Sequence, residues 1–273
     1  MTYTCLQVEV QDGIAVVTLD RPDSLNSLNQ EIMIELGRLW PQIERDKDVR
    51  VIVIAGAGRH FCSGGDLSSF AEATAEGRFF MDIDDPDFHG WTPRRYGGTK
   101  PVIAAVQGIC CGGGLDFATE ADIVVAAESA QFFDPHVSVG FVSSHEAIHL
   151  AQKVPLGEAL MMTLMGNAYR MSAQRAYEVG LAQRVVADED LLDAALEIAR
   201  AVAANAPMAV RGTREALWRS IGNNVDDAVQ IAASYLYLNL SSDDATEGPA
   251  AFSERRPPVF TGASRMPFRR RMP

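Results

Sequence analysis

Positive charge is in short supply. Twenty-four lysines and arginines face 36 aspartates and glutamates, for a net charge of −12. Such an acidic chain offers nucleic acid no broad binding surface, so an anionic ligand must be met by local donors. Arg265, Arg269, Arg270 and Arg271 read as a small solvated tail. Cysteine is sparse too: Cys5, Cys62, Cys110 and Cys111, with no CxxC spacing. That excludes a disulfide framework and a cysteine metal site. Adjacent Cys110 and Cys111 behind an apolar run read as small core residues, which fits a reducing compartment. No uncharged apolar run approaches the ~20 residues of a membrane span. The opening MTYTCLQVEVQDG lacks a basic stretch followed by an apolar one, so the expected location is the cytoplasm. The remainder is ordinary: 273 residues, 47% hydrophobic and 22% charged, enough for a substantial core.

What is present is organised around Lys100–Asp116. Val102–Val106 has the length and β-branched content of a buried strand. Three glycines, 112–114, follow it, then a short segment to Ala121 and a second apolar run, Ile123–Ala127. Glycines at a helix mouth let backbone approach a ligand, with free N–H groups facing it. They suit an oxygen that gains negative charge; a tight strand-to-helix turn is the alternative. A second loop of this kind, Gly56–Leu67 with Gly64-Gly65, follows the apolar run Val49–Ala55. Two such loops aimed at one point supply two donors for one oxygen. Neither satisfies the dinucleotide GxGxxG pattern.

Elsewhere, LQVEV and IAVVTL read as two strands, and Asn29 as the cap of a helix with Ile32, Met33, Leu36, Leu39, Trp40 and Ile43 on one face. Residues 71–99 lack a sustained period and mix aromatics with Gly, Pro and Asp. They read as a pocket cover, favoured by Phe79, Phe80, Phe88 and Trp91, or as a variable surface loop. Ala130–Val142 reads as short strand material around a Pro-His turn. Helices are expected at 144–152, from about 157, at 172–180, and at 189–204, 207–219 and 225–240.

The blocks RPDSLNSLN, VRVIVIAGAGRHFCSGGDL, KPVIAAVQGICCGGGLDFATEADIVVA, SAQRAYEVGLAQRVV and EGPAAFSERRPPVFTG lie in order within residues 6–262. Together they resemble the crotonase (enoyl-CoA hydratase/isomerase) superfamily. The resemblance implies an α/β fold: a spiral of ββα units forming two stacked sheets over residues 1–195, then a helical trimerisation region over 196–273. It implies an acyl-CoA thioester as partner, with coenzyme A as part of the substrate and no separate cofactor or metal. It also implies a homotrimer or hexamer, and neither nucleic acid nor membrane as partner. The thioester oxygen would sit between the Gly65 and Gly113 N–H groups. Ser24, Leu25, Ser63, Gly64, Asp66 and Leu67 fall at positions that contact the coenzyme, and Phe260 at one that reaches a neighbouring subunit's ligand.

The chain departs from that pattern where hydratases carry two glutamates. Asp116 stands at the first position and His136, in Asp134-Pro135-His136, at the second. Histidine serves as acid or base near neutral pH, or else simply hydrogen-bonds within a turn. Ser144 stands where some relatives carry an extra catalytic aspartate, and Glu146 is the nearest substitute carboxylate. His145-Glu146-Ala147-Ile148-His149 also fits HExxH, a zinc pattern that arises by chance inside a helix needed for other reasons. The expected function is hydration of a 2-enoyl-CoA through an enolate. Double-bond isomerisation, C–C hydrolysis, or a CoA-ester-binding protein that has lost catalysis remain as alternatives.

Overall fold

The computed structural model describes residues 3–69 and 90–263. They divide inside one helix, between Ala199 and Arg200, into two compact units. The sequence reading put that boundary at 195/196.

In the first unit β1 (Leu6–Gln11) and β2 (Ile14–Leu19) form an antiparallel hairpin. β3 (Val51–Gly56), β4 (Val102–Val106), β6 (Ile123–Ala127) and β9 (Arg184–Val186) extend it in parallel, in the order β1-β2-β3-β4-β6-β9. β4 is buried at every residue, as continuous apolar runs in parallel sheets are. A second sheet holds β5 (Ile109–Cys111), β7 (Gln131–Phe133) and β8 (Met171–Ser172). The chain alternates between the sheets: β4 enters the first, β5 the second, and helix α2 (Gly113–Glu120) follows. This is the expected ββα rhythm. Ahead of β3, α1 (Gln30–Arg45) is capped by the Asn29 side chain, which accepts from the Ile32 N–H at 3.1 Å. The six apolar residues expected on one face of that helix are all buried. All four cysteines are buried free thiols.

Two expectations change. Within Ala130–Val142 only Gln131–Phe133 forms a strand, and His136–Val139 makes a single 3-10 turn. The Asp134 carboxylate captures the His136 N–H at 3.0 Å and ends the ladder. Of the 71–99 segment, residues 90–99 form a packed knot: Trp91 is buried and its carbonyl accepts from the Trp40 indole at 2.9 Å. Phe79, Phe80 and Phe88 lie outside the described residues.

Helices α3 (His145–Lys153), α4 (Leu156–Met165), α5 (Ala173–Glu178) and α6 (Leu191–Ala203) follow. In the second unit α7 (Pro207–Ser220) packs against α8 (Val225–Asn239), which Asn224 caps. A further helix, α9 (Asp244–Glu254), escapes the sequence reading because Gly248-Pro249 sits inside it. Buried Asp244 accepts from the Thr261 and Gly262 N–H groups at 2.8 and 2.9 Å and ties the end of the chain to α9.

Candidate active site

The two glycine loops meet. Cys62 bridges Cys110, with the Cys62 N–H on the Ile109 carbonyl and the Cys111 N–H on the Cys62 carbonyl, each at 3.0 Å. On its other side the loop bridges Leu28: the Leu28 N–H donates to the Gly64 carbonyl at 2.8 Å, and the Asp66 N–H to the Leu28 carbonyl at 3.0 Å. A parallel bridge of this kind uses the groups flanking Gly65 and leaves the Gly65 N–H out of the ladder. The Gly113 N–H is the first of α2 and is likewise outside the helical bonding. Neither group finds an acceptor among the described residues.

Only glycine permits this approach. Gly64 has φ +86°, and a Cβ there would lie 2.8 Å from the Cys111 carbonyl oxygen and 3.2 Å from the Gly113 nitrogen. A Cβ on Gly113 would come 3.9 Å from the Gly65 nitrogen, so the two donors are neighbours. The positive end of α2 adds to them.

Asp116 follows Gly113 by three residues and Glu120 follows by four more, so one face of α2 carries the donor and both acids. Asp116 is fully buried. Its Oδ2 accepts from the Arg95 guanidinium at 2.6 Å, and its Oδ1 has no hydrogen-bond partner among the described residues. Burial pushes its pKa well above the usual carboxylate value; the Glu146 and Glu120 charges push the same way and Arg95 opposes them. Arg95 also donates to Glu120 at 3.1 Å and lies 4.0 Å over the Trp91 ring. The Thr92 hydroxyl donates to Glu120 as well.

His136 sits beside the same glycines: a Cβ on Gly112 would be 3.8 Å from its Cε1. Its Nδ1 is 2.6 Å from Asp134 Oδ1, while Ser143 donates to Asp134 Oδ2. Burial works against the imidazolium, but the Asp134 hydrogen bond and the Glu146 and Asp134 charges outweigh it, and the His136 pKa rises above 6.5. Its Nε2 faces Glu146 Oε1 at 3.9 Å, so buried Glu146 joins the site through both His136 and Asp116. The HExxH pattern does not assemble: His145 is exposed, and His149 Nδ1 instead lies 3.2 Å from Glu120. Asp116, Glu120 and His149 form a group that could hold a metal ion, but Arg95 already brings a positive charge to two of them.

The coenzyme-contact residues divide. Ser24 and Leu25 run alongside Ser63 and Gly64, with the Ser63 N–H on the Leu25 carbonyl at 3.0 Å. The Leu25 and Leu67 side chains are exposed. Asp66 is engaged internally: it accepts from Ser27 at 3.2 Å and Ser68 at 2.5 Å and faces Arg21 at 3.5 Å, and these donors together hold its pKa down. Phe260 belongs to the second unit, 3.8 Å from where a Gly248 Cβ would be. Sequence reasoning missed Arg95, Thr92, Glu120 and the part played by Asp134. The one available signal was the four-residue spacing of Glu120 from Asp116.

Paired backbone donors beside a buried acid and a carboxylate-backed imidazole are the parts that chemistry through an oxyanion calls for. The family model described as enoyl-CoA hydratase/isomerase matches residues 9–263, and the chain is an enzyme of that family. A crystal structure of an enoyl-CoA hydratase/isomerase from Mycobacterium paratuberculosis is 40% identical, with TM-score 0.88, covering 96% of this chain and all of that one. The short-chain-enoyl-CoA hydratase of Clostridium acetobutylicum is 32% identical over 91% of this chain and 94% of its own. The 1,2-epoxyphenylacetyl-CoA isomerase of Escherichia coli is 33% identical over 93% and 97%.

Proposed function

We propose that this enzyme acts on acyl-CoA thioesters through an enolate and that its reaction is the addition of water to a 2-enoyl-CoA. The neighbouring Gly65 and Gly113 N–H groups carry the reading. Both donate to the thioester oxygen, and each contributes about 3 kcal/mol as charge grows there. His136 is the base: Asp134 engages Nδ1, and Nε2 takes a proton from water. Hydroxide adds to the β-carbon. Buried Asp116, kept toward its neutral form, delivers its proton to the α-carbon as the enolate collapses. Return of one proton from His136 to Asp116 restores the starting state.

Coenzyme A enters as part of the substrate, along Ser24, Leu25, Ser63, Gly64 and Leu67, with Asp66 holding those loops together and no further cofactor required. Phe260 would contribute from a neighbouring subunit of a trimer or hexamer; Val225, Val229, Leu236 and Tyr237 of α8 are exposed apolar residues available for such contacts. The four free thiols suit a reducing cytoplasm. Among the described residues no helix is long and apolar enough to cross a membrane.

An acid and a base flanking an enolate also suit double-bond migration, a reaction that the family's description as enoyl-CoA hydratase/isomerase admits. A panel of 2-enoyl- and 3-enoyl-CoA esters in 18O-labelled water separates the two. Hydration puts one label in the product; a migrated double bond without label would replace hydration by isomerisation. Tight binding with no turnover would leave a binding protein. Gly113→Pro removes one donor and should abolish turnover in folded protein.

A further inference from the structure

We propose that Arg95 is the positioning residue for Asp116, holding one carboxylate oxygen so that the other, Oδ1, is presented for proton transfer. This rests on the reading of Asp116 as the proton donor. The geometry is that of a fixed clamp. One end of the guanidinium meets Asp116 Oδ2 at 2.6 Å and another meets Glu120 Oε1 at 3.1 Å. The plane lies 4.0 Å over Trp91, whose backbone is anchored by Trp40. Thr92 ties the assembly from both sides: its hydroxyl donates to Glu120 and accepts from the Arg95 N–H at 3.3 Å. His149 Nδ1 lies 3.2 Å from the same Glu120 Oε1 that Arg95 engages. A planar fork held at several points loses little freedom when it orients a carboxylate, which lysine would not match.

The clamp also has an electrostatic task. The charged groups that face Asp116 are Arg95, Glu120 and Glu146, and the neutral thiols of Cys62 and Cys110 lie close. Burial and both glutamates hold the proton on Asp116, and Arg95 alone among these opposes them. Without it the acid would be oriented poorly and would release its proton reluctantly. The cluster of Asp116, Glu120 and His149 therefore has its cation built into the chain.

The test compares Arg95→Met and Arg95→Lys with Asp116→Asn, reading kcat, KM, CoA-ester affinity, thermal melting and the pH profile. Arg95→Met should lower kcat about tenfold or more, with affinity within twofold. Its alkaline limb, where the donor loses its proton, should move to higher pH because the carboxylate has lost its counter-charge. Arg95→Lys should fall between wild type and Arg95→Met on both measures. A purely structural residue would change the melt and the amount of active enzyme, and leave that limb in place. Such an unmoved limb in a folded Arg95→Met protein overturns the proposal. If Arg95→Met does not fold, an Arg95→Lys enzyme with unchanged kcat and limb overturns it equally. Full activity in Asp116→Asn would instead sink the proton-donor reading itself.

Discussion

Asp116 and Asp134 are both fully buried, yet their pKa values move in opposite directions. Burial works on both to raise the pKa. At Asp134 the carboxylate meets the His136 N–H, the His136 ring and the Ser143 hydroxyl, and these overcome it. At Asp116 one guanidinium meets one oxygen, Oδ1 has no partner among the described residues, and two glutamates add like charge. Burial raises both, and the hydrogen bonds at its oxygens carry Asp134 below the ordinary carboxylate value while Asp116 stays above it. In the proposed mechanism Asp134 orients the base and Asp116 supplies the proton.

The largest expected effect breaks the Asp116 side of this contrast. Asp116→Asn should cut kcat by about 10²–10⁴-fold in steady-state assays while CoA-ester binding survives. The same substitution should stabilise the fold. A group whose folded pKa is raised favours folding below its unfolded pKa, and that advantage fades as pH rises toward the folded value. Denaturation at neutral pH should therefore show Asp116→Asn at least as stable as wild type, and a clear loss of stability would contradict the assignment.

Next is His136, the proposed base, whose ring Asp134 engages. His136→Gln should lower kcat by about a hundredfold, with thioester affinity nearly intact. In the wild type the acid limb should have its midpoint above 6.5, since the His136 pKa is raised. The raised pKa contributes stability below pH 6.5 that is lost as pH passes the folded value, so His136→Gln should remove this dependence from melting curves. Normal turnover by His136→Gln would reduce the residue to a turn histidine.

Asp134→Asn sharpens the comparison by making the second carboxyl resemble the first. It should lower kcat about tenfold and move the acid limb to lower pH, because the imidazolium loses its anion. Ser143→Ala is the mildest change, removing one donor and about 1 kcal/mol. Asp134 has a lowered pKa, so its contribution exists above the unfolded carboxylate value and disappears as pH falls through the folded one. Ser143→Ala should shift acid unfolding to slightly higher pH with kcat changed less than about threefold; no shift would mean that Ser143 does not support Asp134.

The sequence by itself determined what depends on chain-local chemistry. Val102–Val106 is a strand because its apolar run admits burial on both faces, and the glycines at 64 and 112–114 mark backbone that must approach other backbone. Asp116 lies beside the Gly113 donor by helical spacing alone. Resemblance to the family supplied the positions of Asp116 and His136, though not their chemistry. Only the tertiary structure joined Arg95 to Asp116 and Glu120, and Glu146 to His136, because those contacts link segments whose separation carries no period. The knot at 90–99 read as a loop because its anchors are distant in sequence: Trp91 is held by Trp40, and Arg95 by Asp116 and Glu120. The opposite pKa shifts of two buried aspartates were decided there too. Protonation depends on which oxygens are satisfied and which charges lie near, and both are properties of three-dimensional neighbours.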